Sequence, residues 1–280
     1  MRLVVVGSVN LDLVARVRRL PAGGDTTAAT DYRRMPGGKG ANQALAARRL
    51  GADVALLAAV GADEAAGEAL ALLEADGVDL TGVRRVDGPT GVALITVDDA
   101  GENTIVVVPG ANARLAVDPG RLAGADAVLC QLEVPMDAVA AAAAATPRGA
   151  LFCLNTAPPA TVPAAVLDRA DLVVANRAEF AAVPGLDRAA LVAVTAGADG
   201  AVLRAGGREV ARAAAPAVAA VDGTGAGDAF TGALVVSLLA GLGRDAALRR
   251  ACLAGAVAAS RSGAQPSLPR PADLDSLEDR

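Results

Sequence analysis

Short, unbroken apolar runs alternate along most of this chain with longer stretches rich in alanine and leucine. Residues 3–7 (LVVVG) form the first run and read as a strand buried on both faces. Residues 38–50 carry a helical pattern stopped by Gly51. Residues 54–61 (VALLAAVG) read as a strand, and residues 63–75 as a helix that ends near Gly77. Further strands are predicted at 125–130, 150–154, 171–174 and 191–194, with Ala-rich helical stretches between them. The alanine run at 140–145 reads as helix because alanine has the highest helix propensity. Two long helices, 225–240 and 244–260, close the chain. The alternation predicts an α/β fold with a mostly parallel sheet covered by helices.

Two stretches break the pattern. Residues 12–36 hold strand-like fragments, turns and five arginines. Residues 90–108 (TGVALITVDDAGENTIVVV) read as two strands around a polar hairpin turn. Together they suggest one small β-sheet lid over the carboxyl ends of the main strands, where open α/β sheets bind ligands. Two unrelated surface hairpins are the alternative. The expected division is a core of residues 1–11, 37–89 and 109–280, and a lid of residues 12–36 and 90–108. The basic part of the lid, 16–34, reads as a solvated face.

Composition narrows the chemistry. With 280 residues, 53% of them hydrophobic, the chain can build one large α/β domain with an appendage. A net charge of −5 argues against a general nucleic-acid binder. One Tyr, three Phe and no Trp leave little for a base-stacking platform. Histidine is absent, so a general base at neutral pH is expected to be a carboxylate. Cys130, Cys153 and Cys252 have no metal or redox spacing and read as buried thiols in a reducing compartment. The opening MRLVVVGSVN reads as a strand, not a signal peptide. No apolar run reaches roughly 18 residues, so no membrane span is expected and the expected location is cytoplasmic.

Three polar motifs interrupt the apolar framework. Residues 221–230 (VDGTGAGDAF) are a glycine-rich turn that opens a helix, an arrangement suited to holding an anion on backbone N–H groups. An aspartate in the turn could take a proton beside that anion. The glycines follow G-x-G-x-G and no βαβ unit comes after them, which argues against a dinucleotide fingerprint. Residues 36–44 (PGGKGANQA) lack the Ser or Thr that follows Lys in a P-loop. That turn can still bring backbone N–H groups, Lys39 and Asn42 against a polar ligand. Residues 7–12 (GSVNLD) place Asn10 and Asp12 at the same mouth, able to hydrogen-bond neighbouring hydroxyls as a sugar requires. Asn and Asp after a strand are also ordinary turn formers.

These motifs, in order with GVALITVDDAGENTIVVVPGANA, QLEVP, LNTAPPA, VTAGADG and GAQPSLP, span nearly the whole chain. The sequence resembles the ribokinase branch of the phosphofructokinase-B sugar kinase family. The resemblance implies a ribokinase-like three-layer α/β/α sandwich with a β lid, and transfer of phosphate from ATP to the primary 5-hydroxyl of D-ribose. A kinase for a related sugar or a nucleoside, or a non-catalytic sugar- or nucleotide-binding relative, are the alternatives. By the same resemblance Asp228 is the catalytic base, and the N–H groups of Gly225, Ala226, Gly227 and Asp228 form the anion hole. Sugar falls to Asn10, Asp12, Gly38, Lys39, Gly40, Ala41, Asn42 and Glu133, with Thr90 and Gly91 near the pocket. ATP falls to Asn176, the turn Thr195, Ala196, Gly197, Ala198, Asp199 and Gly200, to Gly227 and Asp228, and to Cys252 near the adenine. Glu179 is the residue linked to Mg2+. A K+ site is implied at Asp222, Thr224, Ala258, Arg261, Gly263 and Ser267. A homodimer through the lid is implied as well. Three departures stand out: Arg177 replaces the first glutamate of the family's Asn-Glu-x-Glu run, Gly223 replaces a common threonine, and the segment after Glu179 is short by about one helix.

Overall fold

The computed structural model describes residues 1–278. The chain opens with strand β1 (Arg2–Val6), then β2 (Asn10–Arg16) and β3 (Asp31–Gly37), before helix α1 (Lys39–Arg49). Next come β4 (Asp53–Val60), α2 (Glu64–Ala75), β5 (Val83–Arg85), β6 (Gly91–Val97) and β7 (Asn103–Val108). The middle of the chain alternates β8 (Ala127–Gln131), α3 (Met136–Ala145), β9 (Leu151–Asn155), α4 (Ala164–Arg169), β10 (Leu172–Asn176), α5 (Arg177–Ala182) and β11 (Leu191–Thr195). The chain finishes with β12 (Ala201–Ala205), β13 (Arg208–Ala213), α6 (Ala226–Leu239), α7 (Arg244–Ala259), α8 (Ala264–Ser267) and α9 (Pro271–Glu278).

Nine strands form the main sheet in the order β13-β12-β11-β10-β9-β8-β1-β4-β5. Every neighbouring pair from β11 to β5 is parallel, and β12 and β13 are antiparallel. Alternate residues of one strand enter different cores. Leu3 and Val5 join a cluster with residues of α1, α2, α6 and α7. Val4 and Val6 join a second cluster with residues of α3 and α4. Two cores, one on each face, make the sheet the middle of three layers and explain why its strands read as unbroken apolar runs.

The two irregular stretches meet in a second sheet, ordered β3-β2-β6-β7. Its seam is the parallel pairing of β2 with β6, with Asn10 opposite Gly91, so the stretches are not separate hairpins. The β12–β13 hairpin lies beyond the expected strands. Its turn is Gly206 and Gly207, both at positive φ (54° and 75°), a conformation that suits a two-residue hairpin. After α5, only six residues long, the backbone reaches β11 through one short 3-10 turn at Leu186–Arg188. Among the described residues no helix is long and apolar enough to cross a membrane.

Helix α6 sets the site. Its residues from Asp228 to Ser237 are all buried. A Cβ added to Gly232 would stand 2.8 Å from the Ala46 Cβ, so α1 and α6 touch almost backbone to backbone. That contact brings the start of α1 beside the start of α6.

Candidate active site

A cleft of about 370 Å3 opens where β1, β8, β9, β10 and β11 end, under the second sheet. Asp12, Ile95 and Ile105 come from the lid sheet; Gly38, Lys39 and Asn42 from the start of α1; Glu133, Asn155, Asn176 and Thr195 from or just past the strand ends; Glu179 from the first turn of α5; and Gly225, Gly227 and Asp228 from the start of α6. Residues scattered from position 10 to position 231 thus share one wall.

Asp228 is in the first turn of α6, only 7% exposed. The preceding Gly225 has φ +80°, and a Cβ there would approach the Ala264 Cα to 3.0 Å, so the turn needs glycine on both counts. Asp228 Oδ2 accepts a hydrogen bond from Asn42 Nδ2 at 2.9 Å, and Oδ1 accepts one from Gln43 Nε2 at 2.9 Å. Burial raises the Asp228 pKa, while Lys39 and these two amides pull it back. The Ala226 N–H donates to the Gly223 carbonyl at 3.2 Å, and Ala226 does not line the cleft. Gly225, Gly227 and Asp228 do line it, at the positive end of the α6 dipole.

Asp12 is 8% exposed. Burial, reinforced by Glu133 and Asp228 and opposed by Lys39, raises its pKa to about 7. Burial also works against the Lys39 ammonium, but Asp228, Glu133, Glu179 and Asp12 outweigh it and hold the Lys39 pKa above its ordinary value. Lys39 is therefore charged at neutral pH among four carboxylates. Glu133 Oε2 accepts from the Ser8 hydroxyl at 2.5 Å and from the Lys39 backbone N–H at 3.0 Å. The Asn10 Oδ1 accepts from Asn112 Nδ2 at 2.7 Å, and Asn112 is itself fixed on the Val9 backbone in both directions. Gly40 and Ala41 are behind the cleft wall, where a Cβ on Gly40 would lie 2.5 Å from the Gly7 carbonyl carbon. Thr90 is not in the cleft lining either: its N–H and hydroxyl both bond to Asp63, the N-cap of α2, and Gly91 packs on the Asn10 and Asn112 amides.

At the other end of the cleft, Asn176 and Glu179 cap α5 reciprocally. Asn176 Oδ1 accepts from the Glu179 N–H, and Glu179 Oε2 accepts from the Asn176 N–H, both at 2.8 Å. Burial raises the Glu179 pKa. Thr195 lines the cleft; Ala196, Gly197, Ala198, Asp199 and Gly200 follow it as a turn outside the lining. Arg177, the residue that departs from the family's pattern, reaches Asp199 at 2.8 Å on the surface. Cys252 is apart from the cleft, buried on α7, with its thiol pushed up to about 11 by burial.

A second cavity of about 280 Å3 adjoins the first through Asp12, Gly223 and Thr224, and extends to Asp222 and Gly263. Asp222 Oδ1 accepts from the Thr224 N–H at 2.9 Å and Oδ2 from the Gly263 N–H at 2.8 Å. Burial opposes the Asp222 charge, but those bonds prevail and hold its pKa below the ordinary value. The carbonyl of Ala258 accepts from the Arg261 N–H, Ser267 Oγ donates to the Ala264 carbonyl, and the Arg261 guanidinium pairs with Asp273. Of the six residues that the resemblance implies for K+, Asp222 is the one carboxylate; Asp222, Thr224 and Gly263 line this cavity together with Arg16, Asp31 and Arg33, and Ala258, Arg261 and Ser267 are outside its lining. Among the described residues no cluster of three or more His, Cys, Asp or Glu side chains is placed to cage a metal.

Sequence reasoning missed Gln43, Gln131, Asn155, Asn112 and Ser8. Gln43 was next to a recognised residue, and two adjacent amides on an otherwise Ala-rich helix were the available signal, since side chains of that kind are seldom fully buried.

The sequence matches the description "pfkB family carbohydrate kinase" over residues 1–271. It is 34% identical to ribokinase of Haemophilus influenzae over an alignment of 302 residues, covering 99% of this chain and 98% of that protein. Ribokinase of Bacillus subtilis is 34% identical over 297 residues, with 98% of each chain covered. Among solved structures, Thermotoga maritima ribokinase superposes with a TM-score of 0.89 at 29% identity, covering 99% of both chains. Arabidopsis thaliana ribokinase, complexed with ribose and ATP, gives a TM-score of 0.89 at 30% identity, covering 98% of this chain and 97% of the other.

Proposed function

The chain belongs to the pfkB family of carbohydrate kinases, and from that premise we propose that it transfers the γ-phosphate of ATP to the 5-hydroxyl of D-ribose, giving ribose 5-phosphate and ADP. The observation that carries the reading is Asp228: a buried carboxylate, fixed through both oxygens, facing the same cleft as Asp12, Lys39 and the first turn of α6. A protein that merely binds sugar has no use for a base so held.

Ribose is held by Asn10, Asp12, Gly38, Asn42 and Glu133, with Lys39 supplying positive charge. Asn42 gives its N–H to Asp228 and leaves Oδ1 buried without a protein partner, an acceptor placed for a sugar hydroxyl. Gly40 and Ala41 act from behind, by letting α1 approach β1. Asp228 takes the proton of the 5-hydroxyl as that oxygen attacks the γ-phosphorus. The bond from phosphorus to the bridging oxygen of ADP breaks, and ADP leaves with its electron pair. The N–H groups of Gly225, Gly227 and Asp228 receive the charge on the transferring oxygens, the term that dominates such reactions. Asn176, Glu179 and the Thr195 turn serve ATP, and Cys252, a buried member of the core on α7, is the residue proposed near the adenine.

Glu179, whose Oε2 is engaged by the Asn176 N–H, would offer its other carboxylate oxygen to a Mg2+ bound with the nucleotide, which would supply charge neutralisation on the phosphates. Asp222, with oxygens of Thr224, Ala258, Arg261, Gly263 and Ser267, would hold K+, and an ion there would stiffen the turn that carries the anion hole. One carboxylate among neutral oxygens suits a singly charged hard ion. The outward face of the lid supports a homodimer, and three buried cysteines without disulfides support a cytoplasmic location. ADP release in the presence of ribose, deoxyribose, hexoses and nucleosides tests the reading. Ribose is expected to give the highest kcat/KM; preference for a nucleoside, or no turnover with any acceptor, overturns it.

A further inference from the structure

One buried polar chain remains outside the roles assigned so far. Gln43 is fully buried on α1. Its Nε2 donates to Asp228 Oδ1 at 2.9 Å and to Asn155 Oδ1 at 2.9 Å. Its Oε1 accepts from Gln131 Nε2 at 2.7 Å. Asn155 Nδ2 donates in turn to the Val174 carbonyl at 3.0 Å. The direction of every bond follows from that last one. A backbone carbonyl only accepts, so the Asn155 amide must turn its N–H2 toward Val174 and its oxygen toward Gln43. Gln43 must then present its own N–H2 to Asn155, and the second N–H of that group falls on Asp228. Gln131 fixes the same orientation from the far side. The strand ends of β8, β9 and β10 thereby determine which group meets the carboxylate on α6.

Resting on the kinase reading above, we infer that Gln43, oriented by Asn155 and Gln131, is a positioning residue that keeps the Asp228 carboxylate aimed and ionised for proton removal. A carboxylate with a single amide anchor can rotate about its last torsion. Anchors on both oxygens remove that freedom, and geometry of this kind is worth up to roughly 100-fold in rate. The second effect is electrostatic. Burial favours the neutral acid, and Asp12, Glu133 and Glu179 face the same cleft with like charge. Against them stand the Lys39 ammonium, the two amide donors and the positive end of the α6 dipole. Losing one donor therefore raises the pH needed to ionise the base.

Two near-isosteric variants test this, Gln43→Met and Gln43→Glu. The first removes the donor, and the second replaces it with another carboxylate beside Asp228. Initial rates with saturating ATP are measured against ribose from pH 5.5 to 9, and folding is checked by thermal unfolding. In Gln43→Met, kcat is expected to fall roughly 10- to 100-fold while ribose KM changes less than about threefold, since Gln43 is not in the cleft lining. The acid limb of kcat/KM is expected to move up by about one pH unit. It should move further in Gln43→Glu, because paired carboxylates resist joint ionisation. A folded Gln43→Met protein with lowered thermal stability but unchanged kcat and acid limb shows a merely structural amide and overturns the inference. So does a loss confined to KM. Absence of sugar-dependent ADP formation in the unmodified protein would instead overturn the kinase reading itself.

Discussion

Asp228 and Asp12 are carboxylates in one buried cleft, yet their neighbours fit them for different work. Asp228 has both oxygens tied to amides, and no histidine exists to replace it. Asp228→Asn is expected to retain ribose binding by calorimetry and lose roughly 10²- to 10⁴-fold in kcat; near-normal turnover in the folded variant would exclude it as the base. Asp12 accepts no amide and is crowded by Glu133 and Asp228, which with burial raises its pKa to about 7. Asp12→Ala is expected to raise ribose KM roughly 10- to 100-fold through the loss of hydroxyl partners while sparing the KM for ATP. Its titration has a stability signature too. The folded pKa is above the ordinary 3.8, so the contribution to stability is full below about pH 3.8 and is lost as pH rises through about 7. Asp12→Asn should therefore raise Tm more at pH 8 than at pH 5, and equal shifts at the two pH values would refute that. Asp228, Asp12, Asn10 and Asn42 were legible in the sequence because each is in a motif next to a glycine turn. Gln43, Gln131 and Asn155 were not, because an amide's partner 88 or 112 positions away leaves no local pattern.

At the scale of elements, the turn before α6 and the segment around α8 are stitched together by Asp222, which accepts N–H groups from Thr224 and Gly263 across 41 positions of sequence. An ion bound there would rigidify the turn that points the Gly225, Gly227 and Asp228 N–H groups at phosphate. Preorganised donors act on the transition state more than on the ground state. Potassium is thus expected to raise kcat, sodium to do so poorly, and Asp222→Ala to abolish the response. The measurement is ribose-dependent ADP formation at constant ionic strength, exchanging a bulky organic cation for potassium; a flat curve in the unmodified protein would leave Asp222 only its capping role. The parallel strands and long helices were readable from sequence because burial on both faces leaves a strand no room for polar residues. The hairpin of β12 and β13 escaped because Arg204, Arg208, Glu209 and Arg212 break up its apolar pattern at the edge of the sheet. Its Gly-Gly turn was the only signal present.

At the scale of the whole molecule, the lid sheet carries apolar side chains on both faces, and both cavities lie on one of them. Ile95 and Ile105 are register partners and both line the cleft. Leu94 and Val106, the next pair along, point to the opposite face and are 46% and 59% exposed. All six residues of β7 are exposed, and β7 is an edge strand of its sheet. A bare apolar edge is an invitation to pairing that proteins ordinarily blunt with charge or cover. A second copy of the same lid is a self-complementary cover, because a two-fold axis sets each exposed face on its twin. The expected solution species is a dimer, and Val106→Lys should shift it to monomer in sedimentation velocity. Because Ile95, Ile105 and Val107 on the other side of the same strands line the cleft proposed for the sugar, loosening the lid should also raise ribose KM, with a smaller effect on the KM for ATP. A monomeric unmodified protein, or a monomeric Val106→Lys variant with unaltered ribose KM, would separate the lid's outer face from catalysis and assign that face to some other contact.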